Sequence, residues 1–186
     1  KKYWYKTAML VMALGVFTAC SDDDGPKIPE GPIALVNGAY VINTGNWNEN
    51  NGTIQWYDRD LKTVSADLFA AANGAGIGDA QDLCVYGTKI YITCSSSAKI
   101  EIVDRKDFKR IKTLNLTNES GQPIQPRYMT AAKGNIYFTA YDGTVSQIDT
   151  TSLSITKKIE VGGSHPEALT SANGKIYINL SNYDMD

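Results

Sequence analysis

The sequence is poor in the groups that most often carry chemistry. It holds a single histidine, His165, which excludes a conventional multi-histidine metal site. Three cysteines occur with no Cys-x-x-Cys spacing, so no zinc or dithiol motif is present. Positive charge is not in excess: 18 Lys and Arg stand against 20 Asp and Glu, a net charge of −2 over 186 residues. That balance removes the electrostatic footprint of a nucleic-acid-binding protein. The apolar run Thr7 to Phe17 is too short to span a bilayer. What the chain does have is 11 Tyr, 3 Trp and 16 Gly, distributed among short apolar runs and polar turns in the manner of an all-β protein.

Those runs repeat. Lys89-Ile90-Tyr91-Ile92, Asn135-Ile136-Tyr137-Phe138 and Lys175-Ile176-Tyr177-Ile178 are versions of one strand, each with a large apolar residue eight positions earlier (Leu83, Met129, Leu169). A second marker, an Asp closing a later strand, recurs at Asp58, Asp104 and Asp149. A strand-built period of 40 to 46 residues is the signature of a β-propeller. Each unit parses into four strands. The first (A) strands are expected at 81–86, 127–132 and 167–172. The second (B) strands are expected at 39–43, 89–94, 135–140 and 175–180, with two-residue A–B turns such as Asn173-Gly174. The third (C) strands align without gaps at 54–58, 100–104 and 145–149, and the fourth (D) strands at 63–68, 109–116 and 155–161. The closing Asp of each C strand is read as a turn residue that accepts from backbone N–H groups two residues on. Three blades plus the start of a fourth are too few for a closed ring, and the first residue is not Met. The expectation is therefore a fragment of a longer propeller.

The first residues read differently. Lys1, Lys2 and Lys6 precede the apolar run, and Thr18-Ala19 precede Cys20. This resembles a bacterial lipoprotein signal over residues 1–19, with Cys20 as the lipidated residue and the membrane held through acyl chains only. Ser21-Asp22-Asp23-Asp24-Gly25 is similar to the surface-export signal of Bacteroidetes lipoproteins. Residues 20–34 form an acidic, Pro- and Gly-containing linker, and 35–186 the partial propeller. Cys84 and Cys94 are read as separate thiols. The Gly87-Thr88 turn pairs Cys84 with Tyr91, which leaves Cys94 on the opposite face.

In a propeller the D–A and B–C loops gather on one face around the axis, and ligands bind there. The D–A loops are expected at 69–80, 117–126 and 162–166, and the B–C loops at 44–52, 95–98 and 141–143 and from 181 onward. One aligned D–A position carries Asp79, Gln125 and His165; two residues on stand Gln81, Arg127 and Glu167. With Tyr141, and with Asn46 and Trp47 in the longest B–C loop, these are the candidate ligand-binding residues. Trp47 offers a ring that stacks on a flat ligand or a sugar, or one that tucks against the neighbouring blade. Gly74-Ala75-Gly76-Ile77-Gly78 lacks the Gly-Lys-Ser/Thr ending of a phosphate loop. No Ser-His-Asp spacing supports catalysis, so neither an enzyme nor a cofactor is expected.

Ile42-Asn43-Thr44-Gly45-Asn46-Trp47, the Asp58 strand, Leu68-Phe69 to Gly78-Asp79 and Pro126-Arg127-Tyr128 together resemble the YncE-like (YVTN-repeat) β-propeller surface lipoproteins of Bacteroides. Complete members have seven blades. The vitamin B12-capturing BtuG branch of that family passes corrinoids to a TonB-dependent transporter in the outer membrane. The resemblance implies a small-molecule ligand, with a corrinoid foremost, and a lipid-anchored place on the outer-membrane cell surface. The alternatives are a protein- or glycan-binding scaffold or adhesin, and a hydrolase or lyase using the axial face.

Overall fold

The computed structural model describes residues 37–182. The segments read as a lipoprotein signal (1–19) and a linker (20–34), Cys20 included, lie outside them. The described chain is a run of antiparallel meanders, and it is part of a β-propeller. The first blade holds β1 (Gly38–Asn43), β2 (Thr53–Asp58) and β3 (Thr63–Val64). The second is β4 (Ala80–Tyr86), β5 (Lys89–Cys94), β6 (Lys99–Asp104) and β7 (Arg110–Asn115). The third is β8 (Pro126–Ala132), β9 (Asn135–Ala140), β10 (Thr144–Asp149) and β11 (Ser154–Glu160). The fourth has β12 (Pro166–Ala172) and β13 (Lys175–Leu180) among the described residues.

The turns follow from their residues. Lys133-Gly134 and Asn173-Gly174 have positive φ at both positions, as a type I′ hairpin requires. Asp58 Oδ1 accepts from the backbone N–H of Asp60 and Leu61, and Asp149 Oδ1 from Thr151 and Ser152. Asp104 Oδ1 accepts from Lys106 N. The repeated Asp is thus the hinge into each fourth strand. Cys84 pairs with Tyr91 in register, and both thiols are free.

Alternation along β5 splits its side chains between two gaps. Ile90, Ile92 and Cys94 pack with Ile54, Phe69 and Phe108 toward the first blade. Tyr91 packs with Met129, Ile136, Phe138 and Ile148 toward the third. Each fully buried Ile or Phe contributes roughly 1.5–3 kcal/mol, so the gaps between blades, not the sheets alone, hold the fold.

One expectation fails. The strand foreseen at 63–68 pairs only over Thr63–Val64, and Leu68–Asn73 forms a short helix, α1. Asp67 accepts from Phe69 N as its N-cap, Leu-Phe-Ala-Ala-Ala favours helix, and Gly74 closes it with φ of 66°. The helix carries Phe69 into the first gap, where it is fully buried.

Candidate functional site

The second residues of β8 and β12, Arg127 and Glu167, stand on neighbouring inner strands. Each is held by the blade before it. Thr93 Oγ1 of β5 donates to Arg127 O at 2.7 Å, and Thr139 Oγ1 of β9 donates to Glu167 O at 2.7 Å. Blade packing thereby sets the distance between the two side chains. Arg127 Nε lies 3.1 Å from Glu167 Oε2, with both side chains largely buried. Arg127 Nη1 donates to Gln81 Oε1 at 2.8 Å and to Ser95 Oγ at 3.4 Å. The guanidinium sits 4.6 Å from the Tyr141 ring centre. Tyr141 in turn donates its hydroxyl to Glu167 Oε1 at 2.5 Å and meets the His165 ring edge-on at 4.9 Å.

Five of the nine expected ligand-binding residues therefore form one cluster: Gln81, Arg127, Tyr141, His165 and Glu167. Arg127 Nη2 makes no hydrogen bond to a described residue, and the side chain keeps 13% of its surface exposed. A directed donor thus remains in a group whose charge Glu167 already balances. His165 has φ of 49° before Pro166, a conformation few non-glycine residues adopt, and it aims the ring at Tyr141.

The other four residues fall elsewhere. Asp79 is fully buried and serves the fold. Its carboxylate accepts from Ser96 N, Ser97 N and Ser97 Oγ. Burial pushes the carboxyl up, but the Ser96 and Ser97 hydrogen bonds outweigh it and hold the group below its ordinary value of 3.8. The expectation that Asp79 faces a ligand is corrected on this ground. Gln125 is half-buried, and its backbone carbonyl accepts from Tyr141 N at 3.0 Å.

Asn46 and Trp47 sit in the loop from Thr44 to Gly52. Asn46 N donates to Asn51 Oδ1 at 2.7 Å and Asn46 Nδ2 to Glu49 Oε2 at 3.0 Å, so the loop is braced from within. It also docks on the second blade: Gly52 N donates to Gly78 O at 2.7 Å, and Asn50 Oδ1 lies 2.6 Å from Ser97 Oγ. A side chain at Gly52 would strike the Gly78 carbonyl. Trp47 stands on this braced loop 55% exposed, so it is not tucked against a blade. Among the described residues no hydrogen bond or ring contact joins Trp47 to the Arg127 cluster.

Sequence reasoning missed Ser95 and Ser97. Ser95 was legible as the residue aligned with Tyr141, first after its B strand. Ser97 had no repeat signal. Among the described residues no group of three or more His, Cys, Asp or Glu is placed to hold a metal.

The model of a family described as "Domain of unknown function (DUF5074)" matches residues 37–184. The chain belongs to this family. Among curated proteins nothing matches it. Solved structures similar to the DUF5074 chain include the WD40 beta propeller domain of Doa1, with a TM-score of 0.56 and 16% identity over 76% of this chain and 47% of that one. Kuenenia stuttgartiensis hydrazine synthase aligns with a TM-score of 0.60 and 15% identity over 87% of this chain and 45% of that one. Dihydro-heme d1 dehydrogenase NirN aligns at 0.57 and 14% over 83% and 31%. These likenesses are of fold, and the chain spans less than half of each structure.

Proposed function

We propose that this protein is a lipid-anchored, cell-surface ligand-capture propeller whose ligand lies over the Arg127 cluster, and that the ligand is a corrinoid passed on to a TonB-dependent transporter. The observation that carries the reading is the unused Arg127 Nη2 in a charge-balanced setting. A phosphate or carboxylate would have to compete with Glu167 for the guanidinium. A neutral carbonyl needs only the directed N–H donor. A corrinoid is a flat macrocycle fringed with carboxamides, so it presents such carbonyls in quantity. The resemblance to the YncE-like family, and that of residues 1–19 before Cys20 to a lipoprotein signal, support the surface location.

The test is calorimetry of the full-length protein with cobinamide and with cyanocobalamin. Micromolar or tighter binding is expected, with Arg127→Ala weakening it at least tenfold. Arg127→Lys should weaken it too, because an ammonium loses the fork geometry. Absence of heat with both corrinoids overturns the corrinoid assignment. Exposed Trp47 among amides favours a second reading, a glycan stacked on the indole. Binding to a glycan panel that is lost in Trp47→Ala and kept in Arg127→Ala would establish that reading instead.

A further inference from the structure

The gap between the second and third blades contains a pocket of about 220 Å³ that shares no lining residue with the Arg127 cluster. Its apolar lining is Leu116, Ile124, Phe138 and Ile155, and its polar lining includes Thr144 and Ser146. The preceding gap shows what such a place takes. Ser146 pairs with Phe138 and Lys158 in register, as Glu101 pairs with Ile92 and Thr113. Ile155 likewise stands where Arg110 stands one blade earlier.

In the earlier gap these positions are filled. Phe69 of α1 is buried there with the Arg110 guanidinium 5.1 Å from its ring centre, and Glu101 bonds Lys99, Arg110 and Thr113. In the later gap the Glu is replaced by a Ser and the Arg by an Ile, and the loop over it has no helix. That loop is nevertheless held in shape. Leu116 N donates to Ala98 O, Ile124 N to Leu116 O, and Asn118 Oδ1 accepts from Ser120 N and Gln122 N. Ser146 is buried, and its hydroxyl makes no hydrogen bond to a described residue. At the rim Lys158 Nζ lies 2.8 Å from Asp142 Oδ2, and Thr144 donates to the same carboxylate.

We infer that this pocket is a second binding site, for a small aromatic ring bearing one neutral hydrogen-bonding substituent. The ring takes the place that Phe69 fills one blade earlier, and the substituent reaches the Ser146 hydroxyl. The Asp142–Lys158 pair is already neutral, which is why the substituent is uncharged. The inference stands independently of the ligand proposed for the Arg127 cluster.

The test is a methyl NMR titration of the full chain with benzamide, with benzoate as the charged comparison. Saturable shifts are expected at Leu116, Ile124 and Ile155 and not at Ile54 or Ile77 in the earlier gap. Ser146→Leu fills the pocket and Ile155→Glu charges its exposed rim, and each should weaken benzamide at least tenfold. Arg127→Ala should leave the titration unchanged. Shifts that do not saturate, shifts of equal size in both gaps, or affinity kept in both pocket variants overturn the site. Tighter binding of benzoate than of benzamide overturns the neutral substituent.

Discussion

Tyr91, Tyr137 and Tyr177 occupy one position in three consecutive blades and meet three environments. Tyr91 is fully buried, Tyr137 half-buried and Tyr177 51% exposed. The Tyr91 hydroxyl has no hydrogen-bond partner among the described residues, and burial, helped by nearby Cys84, Tyr86 and Asp149, pushes its pKa up to about 12. A buried, unpaired hydroxyl costs about 1–3 kcal/mol of desolvation. Tyr91→Phe should therefore hold or raise stability, by up to about 1 kcal/mol in urea denaturation, while Tyr177→Phe changes nothing. A clear loss on Tyr91→Phe would show the hydroxyl to be bonded. The repeat announced this Tyr, but not its lack of a partner, because that depends on the blade packed over it. Asp79 teaches the same: its Ser96 and Ser97 partners come from a loop 17 and 18 residues on, and nothing in the local sequence says that the loop folds back.

At the scale of the element, α1 and β6 act together. Phe69 plugs the first gap, and behind it Glu101 is buried against Lys99, Arg110 and Thr113. Burial pushes the Glu101 carboxyl up, but the hydrogen bonds from those three residues outweigh it and hold it below 4.5. A carboxylate with a depressed folded pKa contributes stability that is present above its unfolded value and is lost as pH falls through the folded one. Glu101→Gln should cost about 2 kcal/mol at pH 7. The gap between variant and parent should close as pH falls below about 4.5, read from urea midpoints at each pH. A gap that persists at pH 3 would assign the loss to packing. The helix itself was hidden from sequence reading. A six-residue helix carries too little period to compete with a repeat that demands a fourth strand there. The strands around it were legible because their Asp turns and Gly-containing hairpins are local chemistry.

At the scale of the molecule, burial falls off toward the fourth blade. The two apolar clusters lie between the first and second and between the second and third blades, while β12 and β13 bury mainly one face. Native-state hydrogen exchange should be slowest in β5 and β6 and faster in β12 and β13 of the described chain. Uniform protection across all four blades would contradict this. The propeller architecture was readable from the period alone. The Arg127–Glu167 pair was readable only as two residues at one frame, since their contact is made by the packing of blades. Two of the junctions share one device: a threonine hydroxyl late in a second strand, bonded to the carbonyl of the second residue of the next blade's inner strand. Donor and acceptor stand at the same two positions in both of these joints, whereas the first blade carries Ile42 at the donor position and makes its joint with the second blade without that bond. Because the joint uses a main-chain oxygen, the side chain at that residue is left to drift between copies. Arg127 and Glu167, opposite in charge, show that drift, and a surface for recognition arises from it without any change to the two joints.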